Sequence, residues 1–109
     1  MALALNVFKT VPYIAPTVAV GIYTAPVGYT GVVLLAQAAN VGDVTRTVSL
    51  SHHRDSVTTE IVKDLPNEAS DTANLLSGKL VLESDDIIIL SASAAGDVKF
   101  LGSVLETLN

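Results

Sequence analysis

The residues best suited to chemistry in this sequence are two adjacent histidines, His52 and His53, followed closely by Asp55. Imidazole and carboxylate groups are common zinc ligands, so these three side chains suggest a metal site. The histidines end a stretch of alternating polar and apolar residues, which predicts a β-strand. Because neighbouring side chains on a strand point to opposite faces, both histidines cannot bind one metal ion while the strand is regular. The pattern favours a strand end with exposed imidazoles.

A second group of possible ligands is the acidic stretch that contains Glu83, Asp85 and Asp86. Calcium needs six to eight oxygen ligands, usually from a loop that supplies them at alternating positions beside a permissive glycine. This stretch lacks that spacing. The sequence therefore favours a solvated hairpin tip over a calcium site, and we expect neither zinc nor calcium to bind.

Motifs for catalysis are missing from the sequence. It has no cysteine, no Gly-x-Ser-x-Gly elbow, no P-loop and no Gly-x-Gly-x-x-Gly pattern. It also has no tryptophan, which leaves little aromatic surface for a sugar beside paired carboxylates. We therefore predict no catalytic residues, no cofactor and no enzyme activity.

The polar and apolar pattern predicts an all-β protein. Residues 44–52 alternate with a period of two, and turn residues recur at short intervals along the chain. No stretch has the period of an amphipathic helix over three turns. The expected fold is an antiparallel β-sandwich or jelly-roll-like barrel of about eight short strands, at residues 3–10, 18–25, 31–40, 44–52, 57–61, 80–82, 87–93 and 98–107.

Two segments do not fit this strand pattern. Residues 11–17 contain Pro12 and Pro16 and are predicted to be irregular, because proline lacks a backbone donor. Residues 65–77 are predicted to form a long connection with at most one helical turn. We therefore divide the chain into an extended arm at residues 1–20, which either pairs with its own sheet or is swapped onto a neighbouring copy, and a β-sandwich domain at residues 21–109.

Charge and hydropathy exclude further classes of protein. Half of the 109 residues are hydrophobic, and the net charge of −5 disfavours contact with nucleic acid. Residues 10–42 carry no charge, but prolines and glycines interrupt them, so we predict no membrane span. The start of the chain lacks the basic segment of a signal peptide.

Three stretches resemble a known family. They are IYTAPVGYT at residues 22–30 with the strand that follows, LLSGKLVLE at residues 75–83, and LGSVLET at residues 101–107. In this order they resemble small virion structural proteins of tailed bacteriophages, especially those of marine and cyanobacterial phages. Members of the family often have glycine before the aspartate of the acidic turn, whereas this chain has Ser84 before Asp85 and Asp86.

The resemblance implies a virion β-sandwich without enzyme activity, made in the host cytoplasm, and does not fix its position on the particle. The net charge of −5 favours the outer surface of the head or tail over contact with the packaged genome. Such a protein is a head decoration (cement) subunit or a tail, neck or fibre-attachment subunit. Its partners are other virion proteins, such as the major capsid or tail proteins, and analogy favours a trimer. The alternative from another class is a carbohydrate-binding β-sandwich module, which a cluster of exposed rings or a calcium site would favour.

The uncharged stretch also predicts where copies of the chain meet. A domain this small cannot bury all of its hydrophobic residues internally, so part of them is expected at an interface. Residues 10–42 offer apolar surface for a homo-oligomer, and the candidate interface residues are Tyr13, Ile14 and Tyr23.

Overall fold

A computed structural model describes residues 5–109, and all of its regular secondary structure is β-strand. No helix in this range is long and apolar enough to cross a membrane. The strands are β1 (Asn6–Ile14), β2 (Val20–Thr24), β3 (Tyr29–Asn40), β4 (Arg46–Arg54), β5 (Val57–Asn67), β6 (Thr72–Asn74), β7 (Leu80–Leu82), β8 (Ile87–Ala92) and β9 (Val98–Leu108).

The strands form two antiparallel sheets that pack face to face, which confirms the predicted all-β sandwich. In the first sheet the order is β1-β9-β3-β6, and β7 also pairs with β3. In the second sheet the order is β2-β8-β4-β5. The largest fully buried apolar side chains lie between the sheets and are Val48, Leu50, Leu75, Leu82, Leu90 and Val98.

Alternation along β9 shows how the sequence produces a two-faced sheet. Val98, Phe100, Val104 and Glu106 are buried, while residues between them on the other face are exposed or half-buried. A strand with this period turns every second side chain into the core and leaves the rest on the outer face. Glu106 is the exception in chemistry, because it brings a carboxylate to an inward position.

The irregular segment predicted at residues 11–17 needs correction in part. Residues 11–14 are not irregular: β1 continues through Pro12 to Ile14 and pairs with β9 along its full length. Proline fits here because β1 is an edge strand, with β9 as its one neighbouring strand among residues 5–109. In this structure β1 pairs within its own chain, and residues 3 and 4 of the predicted first strand lie outside the described residues. Exchange of the arm between copies stays a prediction.

The connection predicted at residues 65–77 is also more regular than expected. β5 extends to Asn67, and residues 72–74 form the short strand β6 on β3. The buried amide of Asn40 donates to the carbonyl oxygens of Val44 and Asn67, each at 2.8 Å. The bond to Asn67 attaches the end of β5 to the end of β3. The later part of the connection pairs with β3 as β6, and residues 65–77 contain no helical turn.

Candidate assembly surfaces

An apolar depression lies where β1 ends. Its volume is about 470 Å³, and Tyr13 and Ile14 both line it. Tyr13 is 40% exposed and Ile14 is 57% exposed. The other residues that line it are Pro12, Pro16, Lys99 and Phe100. The structure thus brings two of the three candidate interface residues to one surface.

Tyr23, the third candidate, lies apart from that depression. Its hydroxyl donates a hydrogen bond to Oε2 of Glu106, the inward-facing carboxylate of β9. Partial burial, followed by the hydrogen bond and the charge of Glu106, raises the pKa of Tyr23 above its usual value. Nζ of Lys9, on β1, lies 3.3 Å from the other oxygen of Glu106. Tyr23 therefore joins β2 of one sheet to β9 of the other, and its role at an interface remains a prediction.

A row of apolar side chains crosses the outer face of the first sheet. The strand register places Phe8 opposite Leu105, Leu105 opposite Val32, and Val32 opposite Val81. Phe8 is 74% exposed and Val81 is 56% exposed. Directly paired residues share a face, so these four side chains form one stripe across β1, β9, β3 and β7. Exposed apolar residues arranged in a stripe are typical of an interaction surface.

Charge is nearly missing from this outer face. Among the described strand residues that the register places on it, Lys99 alone is charged. The chain has 11 acidic residues, and the strand positions of this face carry none of them. The second sheet differs, because β5 contributes Glu60 and Asp64. Depletion of charge is what distinguishes the centre of a protein interface from the rest of a surface.

A polar network lies in the second sheet, where the end of β4 meets the start of β8. The guanidinium of Arg54 donates from Nε and Nη2 to the two carboxylate oxygens of Asp86, at 2.8 and 2.6 Å. Nε2 of His52 lies 3.0 Å from Oδ2 of Asp86, and the backbone N–H of Glu83 donates to the same oxygen at 2.8 Å. The hydrogen bonds from Arg54 in particular lower the pKa of the Asp86 carboxyl well below its usual range, against the effect of burial.

Register and turn geometry build this network. β4 pairs with β8 so that His53 lies opposite Ile87, which brings the next residue of β4 beside the residue before β8. The turn after Arg54 has positive φ at both Asp55 and Ser56, as a two-residue type I′ hairpin requires. The hairpin therefore ends β4 at the point where Arg54 reaches Asp86.

The network corrects two expectations and confirms one. Asp86 is not part of a solvated tip, because its side chain is 1% exposed, and His52 is half-buried against it. His53 instead contacts Thr58, with 2.8 Å between Nδ1 and Oγ1. The two histidines thus point to opposite sides, as predicted from strand geometry. Within residues 5–109, no group of three or more histidine or acidic side chains is arranged to hold a metal ion.

Sequence reasoning missed the partners of Asp86 and of Glu106. Arg54 and Asp86 are 32 positions apart, and only the pairing of β4 with β8 brings them together. Glu106 left a signal in the sequence, because it continues the alternation of Phe100 and Val104 on the buried face of β9. A carboxylate at an inward position predicts a buried hydrogen-bond partner.

Comparisons with known proteins find likeness in structure but not in sequence. No protein-family model matches this sequence, and no curated protein does. A chain from the capsid structure of the Helicobacter pylori bacteriophage KHP30 has a TM-score of 0.60 and 14% identity, covering 96% of this chain and 89% of that one. A chain from Bacillus endospore appendages, described as disulfide-linked pili, has a TM-score of 0.57 and 14% identity, covering 100% of this chain and 97% of that one.

A third similar structure is a chain of the T13 particle of the virus IBDV. Its TM-score is 0.54 and its identity 9%, and the match covers 97% of this chain but 32% of that chain. At identities this low, the likeness establishes a shared fold. The fold of this chain is thus shared with a chain of a phage capsid structure, with a chain of Bacillus endospore appendages and with about a third of a chain of the IBDV particle.

Proposed function

We propose that this chain is a non-enzymatic structural component of a virus particle, in which several copies of the chain assemble with one another. The observation that carries the proposal is the outer face of the first sheet, which exposes Phe8 and Val81 in an apolar stripe. Within the part of the chain that the structure describes, Lys99 is the one charged strand residue of this face. A face of this kind is suited to burial against another protein.

The shared fold supports the viral context. The chain from the phage KHP30 capsid matches nearly the whole of this chain and of itself, so the likeness covers the complete sandwich. Together with the resemblance to tailed-phage virion proteins, this favours a bacteriophage particle. The finer role we propose is a head decoration subunit or a tail, neck or fibre-attachment subunit that docks on the major capsid or tail proteins, with a trimer by analogy.

Charge supports a position on the outside of such a particle. The net charge of −5 is repelled by packaged nucleic acid, so an inward-facing position carries an electrostatic penalty. Apart from Glu106, which points inward on β9, the acidic residues lie in turns and on the second sheet. We therefore propose that the outer face of the first sheet contacts other subunits and that the acidic surface faces solvent.

A second candidate is a subunit of a surface fibre, which the full-length likeness to the endospore appendage chain favours. This chain has no cysteine, so its copies would join without the disulfides of those pili. The carbohydrate-binding alternative gains less support. Its rings would need to form one platform, but Phe8 and Tyr13 lie on opposite faces of β1, because their positions differ by an odd number.

Electron microscopy of the expressed chain, together with peptide mass spectrometry of purified particles from its source, tests the proposal. A virion component is expected in density-banded particles at a constant ratio to the major capsid protein. A fibre subunit is expected to form filaments when concentrated alone. The proposal fails if the chain is missing from washed particles and forms no assembly of its own.

A further inference from the structure

The backbone N–H and C=O groups of successive residues in β1 point alternately towards β9 and away from it. The N–H of Leu108 donates to the carbonyl of Leu5 at 2.8 Å, and the N–H of Ala15 donates to the carbonyl of Val98 at 2.8 Å. These bonds lie at the two ends of an unshifted antiparallel register. In such a ladder every second residue bonds to the partner, so the odd-numbered residues of β1 bond to β9 and the even-numbered residues point away from it.

Pro12 falls on the side that points away. Its missing N–H therefore takes nothing from the pairing with β9, and it interrupts the free edge at one point. Before it, Asn6, Phe8 and Thr10 direct their backbone donors and acceptors outward, and β1 is the end strand of its sheet among the described residues. This edge segment, residues 6–10, has three evenly spaced outward positions.

The edge segment also lacks the devices that usually block strand addition. Its outward residues Asn6, Phe8 and Thr10 are uncharged. The single charge of the segment belongs to Lys9, whose side chain points to the other face and pairs with Glu106. Two copies can therefore approach along this edge without bringing like charges together.

The other long edge of the molecule is protected. β5 is the edge of the second sheet, but its register shifts twice relative to β4, and Asp64 has a positive φ of 51° within the strand. Bulges and charged residues on an edge disfavour pairing with another strand. β1, whose register with β9 is unshifted, is therefore better suited than β5 to pairing with a partner strand.

We propose that a second copy of this chain pairs with the edge segment across a two-fold axis at Phe8. In this antiparallel pairing Phe8 lies opposite Phe8 of the second copy, and Asn6 lies opposite Thr10 of the second copy. All three pairs use backbone groups that point outward, so they form the closely bonded type of pair. The two apolar stripes then join through the Phe8 pair, and one continuous sheet runs through both copies.

This inference deepens the proposed assembly role and rests on it. It also fits a larger oligomer, because a two-fold contact at β1 leaves the rest of the outer face of the first sheet available to other subunits. In this register, position 8 is the only position of β1 that lies opposite the same position of the second copy.

The test uses the fact that the natural chain has no cysteine. Phe8→Cys places two thiols opposite each other with Cα atoms about 5.5 Å apart, a separation that a disulfide can span. Ile14→Cys is the matched control, since it lies on the same strand and face and is 57% exposed. In the proposed register two copies of residue 14 are roughly 40 Å apart, from about 3.4 Å per residue.

Both variants are oxidised at low micromolar concentration and separated without reductant, while light scattering gives the mass of the unmodified chain. We expect a covalent dimer from Phe8→Cys and none from Ile14→Cys. A chain that assembles, yet links through position 14 and not through position 8, overturns the β1 pairing and leaves the proposed function standing. A chain that has the mass of one copy and links through neither position overturns both.

Thr10→Pro, introduced alone and combined with Phe8→Cys, gives a second test that does not depend on cysteine chemistry. It removes an outward donor from each copy and leaves the bonds to β9 in place, so the melting temperature should stay near that of Thr10→Val. Losing two intermolecular hydrogen bonds should weaken dimerisation about tenfold or more. Unchanged dimerisation in a folded Thr10→Pro variant contradicts the proposal.

Discussion

Arg54 donates hydrogen bonds to both carboxylate oxygens of Asp86, at donor–acceptor distances of 2.8 and 2.6 Å. The side chain of Asp86 is 1% exposed, whereas that of Arg54 is 42% exposed. The buried carboxylate of Asp86 is therefore stabilised by the guanidinium of Arg54 and by the backbone N–H of Glu83. This ion pair ties the β4–β5 hairpin to the start of β8.

Replacing Arg54 with glutamine should destabilise the protein. Asp86 would remain buried with a charge and without its main partner, which costs several kcal/mol for a fully buried pair. Because Arg54 is partly exposed, water reduces this loss, and we expect the urea midpoint to fall further than in the control variant. The control is Arg46→Gln, which removes a pair to Asp97 in which both side chains are about one-third exposed. A loss of about 1 kcal/mol or less is expected there, and equal losses in the two variants would contradict the account.

Acid should weaken the fold through Asp86. Its pKa is depressed in the folded state, so its contribution to stability is present above the unfolded value of about 3.9 and is lost as pH falls below it. Asp86→Asn should be less stable at neutral pH but should lose less of its remaining stability between about pH 5 and 2. Urea midpoints measured across this range test the prediction. Parallel curves for the two proteins would show that Asp86 is not the group responsible.

Alkali should act through Tyr23. Its pKa is raised in the folded state, so its contribution is complete below the unfolded value of about 10 and is lost as pH rises above it. With three tyrosines and no tryptophan, ultraviolet absorbance can follow phenol ionisation directly. We expect Tyr23→Phe to remove the phenol that ionises last, and Tyr13→Phe to leave it. If the late-ionising phenol persists in Tyr23→Phe, the assignment is wrong.

Pro12→Val should make the protein associate more strongly while leaving its fold intact. The new N–H points away from β9, so it adds no bond within the chain but lengthens the free edge of the sheet. We expect the free energy of unfolding to change by no more than about 1 kcal/mol. Sedimentation velocity should show larger species than for Thr10→Val, which leaves the number of outward donors unchanged. A sedimentation profile equal to that control would show that Pro12 does not guard the edge.

The sequence predicted those elements whose side chains alternate cleanly. Val48 and Leu50 share the buried face of β4, and the apolar run from Ile87 forms β8 as expected. The predicted first strand ends too early, at residue 10, because a proline within a strand pattern predicts a break in structure. Proline is compatible with an edge strand when its missing donor points outward, and this orientation depends on the register with β9, which a single segment of sequence does not contain.

The candidate site was harder to predict for the same reason. Tyr13 and Ile14 belong together because they are neighbours near the end of one strand. The apolar stripe from Phe8 to Val81 draws on four strands that are distant in sequence. The ion pair of Arg54 with Asp86 likewise depends on one register, and a slip of one residue would move every side chain of the strand to the other face.

The central claim is that copies of this chain assemble through uncharged surface of the first sheet, and the mass in solution tests it most directly. One chain weighs 11.3 kDa. Light scattering at micromolar concentration should give a multiple of this mass, and Val81→Asp, which places a charge in the apolar stripe at an exposed position, should shift the distribution towards one copy. A wild-type chain that keeps the mass of one copy at every concentration measured would contradict the account.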